Sequence, residues 1–179
     1  RGIQGEHVVL IESGGTVVAV VNRAPDSTID TIGGISVTAQ IFALCNQKGG
    51  VGKSTSTFHL ARAAVLRGQR VLVVDNDPQG NLTSVAATEP VGEDQAGLAD
   101  VLSARAPETL RDVIVPGIWS GLDVVPTSGI TLGWVRDELV IAGAGREGRL
   151  REALAGVEDD YDVILIDCAP SLDQLTING

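Results

Sequence analysis

Apolar residues recur along the chain in two rhythms: short β-branched blocks, and longer stripes with helical spacing. Residues 8–21, VVLIESGGTVVAVV, are two β-branched runs around Glu12-Ser13-Gly14-Gly15, which predicts a hairpin. Residues 22–40 are polar, rich in Thr, Ser and Gly, and read as a connecting segment. From residue 41 the pattern becomes regular. Ile41 to Cys45 is a short apolar strand that runs into a glycine loop. Residues 53–67 predict a helix, with Phe58, Ala61, Ala64 and Val65 on one stripe and Gly68 as its stop. VLVV at 71–74 predicts a second buried strand, ending at Asp75-Asn76-Asp77-Pro78-Gln79-Gly80. Residues 97–104 predict a short helix, 109–114 another, and Leu122 to Val125 a third strand. Leu150, Leu154 and Val157, spaced four and three apart, make 146–157 an amphipathic helix, and VILI at 163–166 is a fourth strand ending at Asp167.

Strands that alternate with helices imply right-handed βαβ units. The expected fold is therefore α/β, a parallel sheet with helices on both faces. Neither an internal repeat nor a low-complexity segment interrupts it. Composition agrees: the 179 residues are 44% hydrophobic and only 3% aromatic, so the core must be built from Val, Leu, Ile and Ala. That choice suits strands buried on both faces.

Charge narrows the possible partners. With 13 basic against 23 acidic residues the formal net charge is −10, so the chain as a whole should not hold nucleic acid by charge. Any DNA-binding surface would have to be a local patch, a dimer feature, or sequence absent here. Cys45 and Cys168 lie far apart in apolar runs and spell neither a metal pattern nor a disulfide framework, so both read as small buried hydrophobes. No apolar run approaches the ~20 residues that cross a bilayer, and no signal-peptide pattern opens the chain. A soluble, cytoplasmic protein is expected. The chain contains no Met, begins at Arg1 and stops at Gly179 in mid-pattern, which reads as a piece of a longer reading frame.

The chemistry concentrates at NQKGGVGKST, residues 46–55. A strand, a glycine turn and a helix start aim several backbone N–H groups at one point, where the helix dipole adds to the field. Gly49, Gly50 and Gly52, with Val51 between them, keep side chains out of the way and permit positive φ. Lys53 would reach the β- and γ-phosphates, the Ser54 hydroxyl would ligate Mg²⁺, and Thr55 would add a hydroxyl toward the α-phosphate. The usual phosphate-loop pattern nevertheless fails, because it requires Gly where Gln47 stands, and a second lysine, Lys48, sits inside the loop.

Three carboxylates are placed to join this loop, because ligands of open α/β sheets bind beyond the C-terminal ends of the strands. Asp75 and Asp77 follow the second strand and Asp167 follows the fourth. Asp167 stands where a Walker B acid holds Mg²⁺, with a solvated strand-end acid as the competing reading. Asp77, extended by Pro78, is a candidate for orienting an attacking water, with a turn-forming Asx residue as its rival.

Four ordered blocks carry a resemblance: KGGVGKST (48–55), DNDPQGNLTS (75–84), GREGRLREAL (145–154) and YDVILIDCAPSLDQLTING (161–179). They closely resemble the ParA family of plasmid and chromosome partitioning ATPases over about residues 40–179. The expected division is thus an N-terminal appendage at 1–40 and the N-terminal portion of a ParA-like ATPase domain at 41–179. The resemblance implies the deviant Walker A group, in which Lys48 is the signature and Gln47 is normal for the ParA branch. In such proteins two ATP-bound subunits pack face to face, and the signature lysine reaches the neighbour's phosphates. It also implies Asp77 as the residue that positions water in a switch region, Asp75 near the metal's outer shell, and Asp167 as the Walker B acid. Implied cofactors are ATP and Mg²⁺. Implied partners are a second copy of the chain, a ParB-like adaptor and non-specific DNA, with nucleoid association in the ATP-bound state and no membrane. Asn76 and Ala169 depart from the family's usual apolar residue and Pro, and the family's C-terminal strands and basic surface lie beyond Gly179. Two other readings stand beside this one: a positioning ATPase for a cargo other than DNA, and a nucleotide-inactive fragment acting only in protein interaction.

Overall fold

The computed structural model describes residues 6–13, 16–23, 39–45, 50–92, 94–103, 108–127 and 148–169, the first two segments as backbone only. The strands are β1 (Glu6–Ser13), β2 (Thr16–Arg23), β3 (Gln40–Cys45), β4 (Val71–Asn76), β5 (Val115–Pro116), β6 (Leu122–Val125) and β7 (Val163–Cys168). The helices are α1 (Lys53–Val65), α2 (Asn81–Ala86), α3 (Leu98–Leu102), α4 (Leu110–Val113) and α5 (Arg149–Leu154), and a 3₁₀ turn at Glu158–Asp160 leads into β7.

These strands form one sheet in the order β1-β2-β3-β7-β4-β6-β5. Its centre, β3-β7-β4-β6, is parallel, as the alternation of elements predicts. Antiparallel strands flank it on both sides. The expected hairpin pairs Ser13 with Thr16 at its closed end, and β2 then pairs antiparallel with β3, from Val17 opposite Cys45 to Val21 opposite Ile41. The ladder therefore runs across the boundary drawn at residue 40. At the other edge, two-residue β5 pairs with β6.

Period-two alternation divides the parallel strands between two cores. Val71, Val73, Val163 and Leu165 face Ala61 and Ala64 of α1 and Leu82 and Ala86 of α2. Leu72, Val74, Ile164 and Ile166 face Leu98, Leu102, Leu110, Leu150 and Leu154 from α3, α4 and α5. Every residue of β4 and β7 is buried, which explains why VLVV and VILI read as unbroken apolar runs. Each buried Leu or Ile contributes about 1.5–3 kcal/mol. The N-terminal ends of β4 and β7 are tied together by Arg70, whose backbone N–H and guanidinium both donate to Asp162.

Two boundaries differ from the sequence reading in a way that matters for the site. Strand β4 continues through Asp75 and Asn76, and β7 through Asp167 and Cys168, so Asp75 and Asp167 are cross-strand partners inside the sheet rather than residues beyond it. Parity then fixes their face. Both continue the odd-numbered series toward α1 and α2, whereas Cys168 continues the even series into the opposite core. Helix α2 and strand β5 have no counterpart in the sequence reading.

Candidate functional site

Helix α1 begins without a side-chain cap. Its N-cap is Gly52, at φ 85, and Gly50 is at φ 72, both in the left-handed region that favours glycine. A Cβ built at either glycine meets nothing within 4 Å, so the space above this backbone is open. The first intrahelical bond is Ser56 N–H to the Gly52 carbonyl, and the N–H groups ahead of it have no carbonyl of their own helix to meet. A turn of this kind, with the positive helix end behind it, is suited to an anion.

A cleft of about 690 Å³ opens over this helix start. Residues 50–55 and Phe58 form one wall, and Asp77, Gln79, Asn81, Ser84 and Val85 form the other. Of the residues expected to bind a cofactor, Gly50, Val51, Gly52, Lys53, Ser54 and Thr55 all line it, and Lys53 is buried among them. Lys48 and Gly49 lie outside the described residues.

Of the three carboxylates only Asp77 lines the cleft; Asp75 and Asp167 are fully buried side by side in the sheet, and the three have different partners. Asp75 has both oxygens engaged. Oδ2 accepts the Thr83 N–H and the Thr83 hydroxyl, each at 2.7 Å, and Oδ1 accepts the Asp77 N–H at 3.2 Å. Asp77 Oδ1 accepts the Gln79 N–H at 2.9 Å, which is the Asx turn foreseen as its rival reading, and the same residue also lines the cleft. Asp167 is fully buried, and among the described residues neither carboxylate oxygen makes a hydrogen bond of ordinary geometry, although the Ser54 hydroxyl lies close enough to favour the charged form.

Burial raises the pKa of Asp75 to about 7, opposed by the Thr83 bonds, with the Asp167 charge adding to the rise. Burial likewise raises Asp167 to about 6. The nearby Ser54 hydroxyl and the Lys53 charge oppose that rise, and the Asp77 charge reinforces it. A carboxylate bound more weakly to protons when unfolded has a definite linkage sign. Between the ordinary carboxylate range and about pH 7 the folded state holds the extra protons, so stability is fully present below about pH 4 and is lost as pH rises. At about 1.4 kcal/mol per unit, the ligand-free chain should be several kcal/mol more stable at pH 5 than at pH 7.5. Urea titrations at the two pH values check this; equal midpoints would contradict it.

A buried carboxylate whose oxygens are not filled by ordinary hydrogen bonds among the described residues, beside a helix-start hydroxyl and a lysine, is a donor set that fits Mg²⁺. That ion takes one or two carboxylates and completes its shell with substrate phosphates and water. Among the described residues no group of three or more His, Cys, Asp or Glu side chains forms a metal cage by itself.

Sequence reasoning placed Asp77 but missed the part of the second wall that α2 supplies. Asn81, Ser84 and Val85 belong to α2, six residues with no hydrophobic stripe long enough to register. The signal available is DNDPQGNLTS, where Thr83 follows Asp75 by eight residues. The cysteines, distant in sequence, are brought side by side. Cys45 packs on the core that contains Cys168, and their thiol–thiol hydrogen bond lowers the pKa of Cys45 and, with burial, raises that of Cys168. Both are free thiols.

The glycine turn at the C-terminal edge of a parallel sheet, opening α1 under a cleft lined by Lys53 and Ser54 with Asp167 buried in the sheet close to them, is the arrangement of a P-loop nucleotide-binding protein. Comparison with known proteins narrows the class. A family model described as an AAA domain matches residues 39–179. The sporulation initiation inhibitor protein Soj of Bacillus subtilis is 44% identical over 140 residues, covering 78% of this chain and 53% of Soj. The chromosome partitioning protein ParA of Caulobacter vibrioides is 41% identical over 144 residues, covering 78% of this chain and 51% of ParA. A crystal structure of cobyrinic acid a,c-diamide synthase from Mycobacterium smegmatis, with bound ATP analog and magnesium, matches with a TM-score of 0.70 at 36% identity, covering 79% of this chain and 55% of that one. The chain belongs to the AAA domain family that these blocks mark, among its ParA-type members. It spans about half the length of the curated relatives it matches.

Proposed function

We propose that the chain is the ATP-binding portion of a dimerisation-switched partitioning ATPase, which segregates plasmid or chromosomal DNA. The observation that carries the nucleotide half of this reading is Asp167, whose two buried oxygens make no hydrogen bond of ordinary geometry among the described residues and lie near Ser54 and Lys53. Kinship with a chromosome partitioning protein supports the biological half.

In this reading the N–H groups at the start of α1 hold the phosphate chain, and Lys53 offsets charge on its β and γ groups. Ser54 and Asp167 are the protein donors for Mg²⁺, which when bound neutralises charge shared by those phosphate oxygens. Asp77, held at the cleft by its Asx turn, orients the water that attacks the γ-phosphate. Asp75 supports this machinery from within the sheet, through Thr83 and the Asp77 N–H. Lys48 reaches the phosphates of a second copy, as an arginine finger does. The ATP-bound pair engages DNA non-specifically, and a ParB-like adaptor accelerates hydrolysis. The division into residues 1–40 and 41–179 belongs to the same proposal, as does a cytoplasmic location. Among the described residues no helix is long and apolar enough to cross a membrane.

Lys48→Ala separates this reading from a one-subunit ATPase. Nucleotide affinity should stay within a few-fold of the parent, while steady-state hydrolysis and its protein-concentration dependence are lost. Unchanged turnover in the variant would remove the neighbour-reaching lysine from the account.

A further inference from the structure

Helix α2 supplies one wall of the cleft but has little to hold it by itself. It is six residues long, its N-cap is Gly80 at φ 65 with no side chain to accept a hydrogen bond, and its first turn contains no acid. Short helices of this kind depend on tertiary contacts, and uncapped N–H groups at a helix start need an acceptor from somewhere. Here the acceptor comes from the sheet. Asp75 on β4 takes both the Thr83 N–H and the Thr83 hydroxyl on one oxygen. Thr83 Oγ1 in turn accepts the Thr127 N–H at 3.0 Å, just beyond the end of β6.

The order of donors fixes the chain's direction: Thr127 N–H to Thr83 Oγ1, then Thr83 O–H to Asp75 Oδ2. A hydroxyl is the smallest group that can donate to one partner while accepting from the other. Gly80 also lies close to Thr127, since a Cβ built on it would be 3.5 Å from Thr127 Cγ2 and 3.7 Å from its carbonyl oxygen. The segment between Asp75 and Thr83 contains Asp77 and Gln79, and its ends are therefore held by one buried network.

Resting on the nucleotide-hydrolysis reading above, we infer that Thr83 is a positioning residue. Its hydroxyl, shared between Asp75 and the Thr127 N–H, locks the start of α2 to the ends of β4 and β6 and so holds Asp77 and its turn at the cleft. Thr83 itself is not among the residues lining the cleft and acts through the others.

Thr83→Val keeps the side-chain shape and removes the hydroxyl, and Thr83→Ser keeps the hydroxyl. The Val variant should lose about tenfold in kcat, the scale of one hydrogen bond, with ATP affinity changed by less than about threefold. The Gln79 and Ser84 amides, which bond to Asp77 Oδ1 and the Gly80 carbonyl, should exchange with solvent about tenfold faster. The Ser variant should restore both. A Val variant that is merely less stable, with parental kcat and parental exchange at Gln79 and Ser84, would overturn the inference. If the Val variant does not fold, exchange in the parent decides: Thr127, Thr83 and Ser84 amides should open together, and a Thr127 amide that opens alone would overturn it. Exchange needs no turnover, so in a chain that fails to bind ATP, a result that sinks the nucleotide reading, the Gln79 and Ser84 amides still decide whether Thr83 holds the turn.

Discussion

Asp167→Asn is expected to lower Mg²⁺-dependent ATP hydrolysis by at least about a hundredfold, and to make the ligand-free protein more stable at pH 7.5 rather than less. The two effects share one cause. In the ligand-free chain Asp167 is a buried carboxylate with no hydrogen bond of ordinary geometry to either oxygen among the described residues, and burial, only partly offset by the nearby Ser54 hydroxyl, lifts its pKa to about 6. Keeping that charge at neutral pH costs up to about 3 kcal/mol, from a shift of roughly two units. Asparagine removes the charge and leaves an amide with unfilled bonds, which returns about 1–2 kcal/mol of that. The net gain should be about 1 kcal/mol at pH 7.5 and should vanish near pH 5, where the parent Asp167 is already protonated. Thermal melts at the two pH values, beside a phosphate-release assay, read both halves. A variant that loses stability together with activity would make Asp167 an ordinary structural residue.

Lys53→Ala should abolish nucleotide binding at the level of at least about a hundredfold in Kd, equivalent to about 3 kcal/mol. Lys53 is buried at the helix start, where its charge opposes the raised pKa of Asp167, so its removal takes a desolvated cation from the place where phosphate charge would gather. Screening is weak in such a place, and the loss should persist in high salt. Fluorescence anisotropy with a labelled ATP analogue measures it. A Kd within threefold of the parent would show that the phosphates sit elsewhere. Together with Lys48→Ala, this variant divides the labour of the two loop lysines: binding lost for Lys53, hydrolysis alone lost for Lys48.

Much of this site was legible because short-range chemistry wrote it. Gly52-Lys53-Ser54 after an apolar strand places a helix start, and that is where α1 begins. The four parallel strands were visible as apolar runs because helices cover both of their faces. What escaped was set by long-range pairing. The addition of β2 to β3 depends on which sheet edge is free, which no local pattern states. The burial of Asp75 and Asp167 within strands follows from their mutual register, so acids that read as strand-end residues lie inside the sheet. Helix α2 is held by Asp75 and Thr127 from other strands, and its own six residues carry too little periodicity to announce it. The Cys45–Cys168 contact is likewise a product of β3 lying beside β7.

The central claim is that Asp167 and the start of α1 form a site completed by a nucleotide and Mg²⁺. Its most direct test is a calorimetric titration of the chain and its Asp167→Asn variant with ATP, each with Mg²⁺ and with EDTA. The account predicts saturable binding by the parent that Mg²⁺ tightens by about tenfold or more, with that tightening absent in the variant. No binding by the parent in Mg²⁺, or the same Mg²⁺ dependence in both proteins, would contradict it.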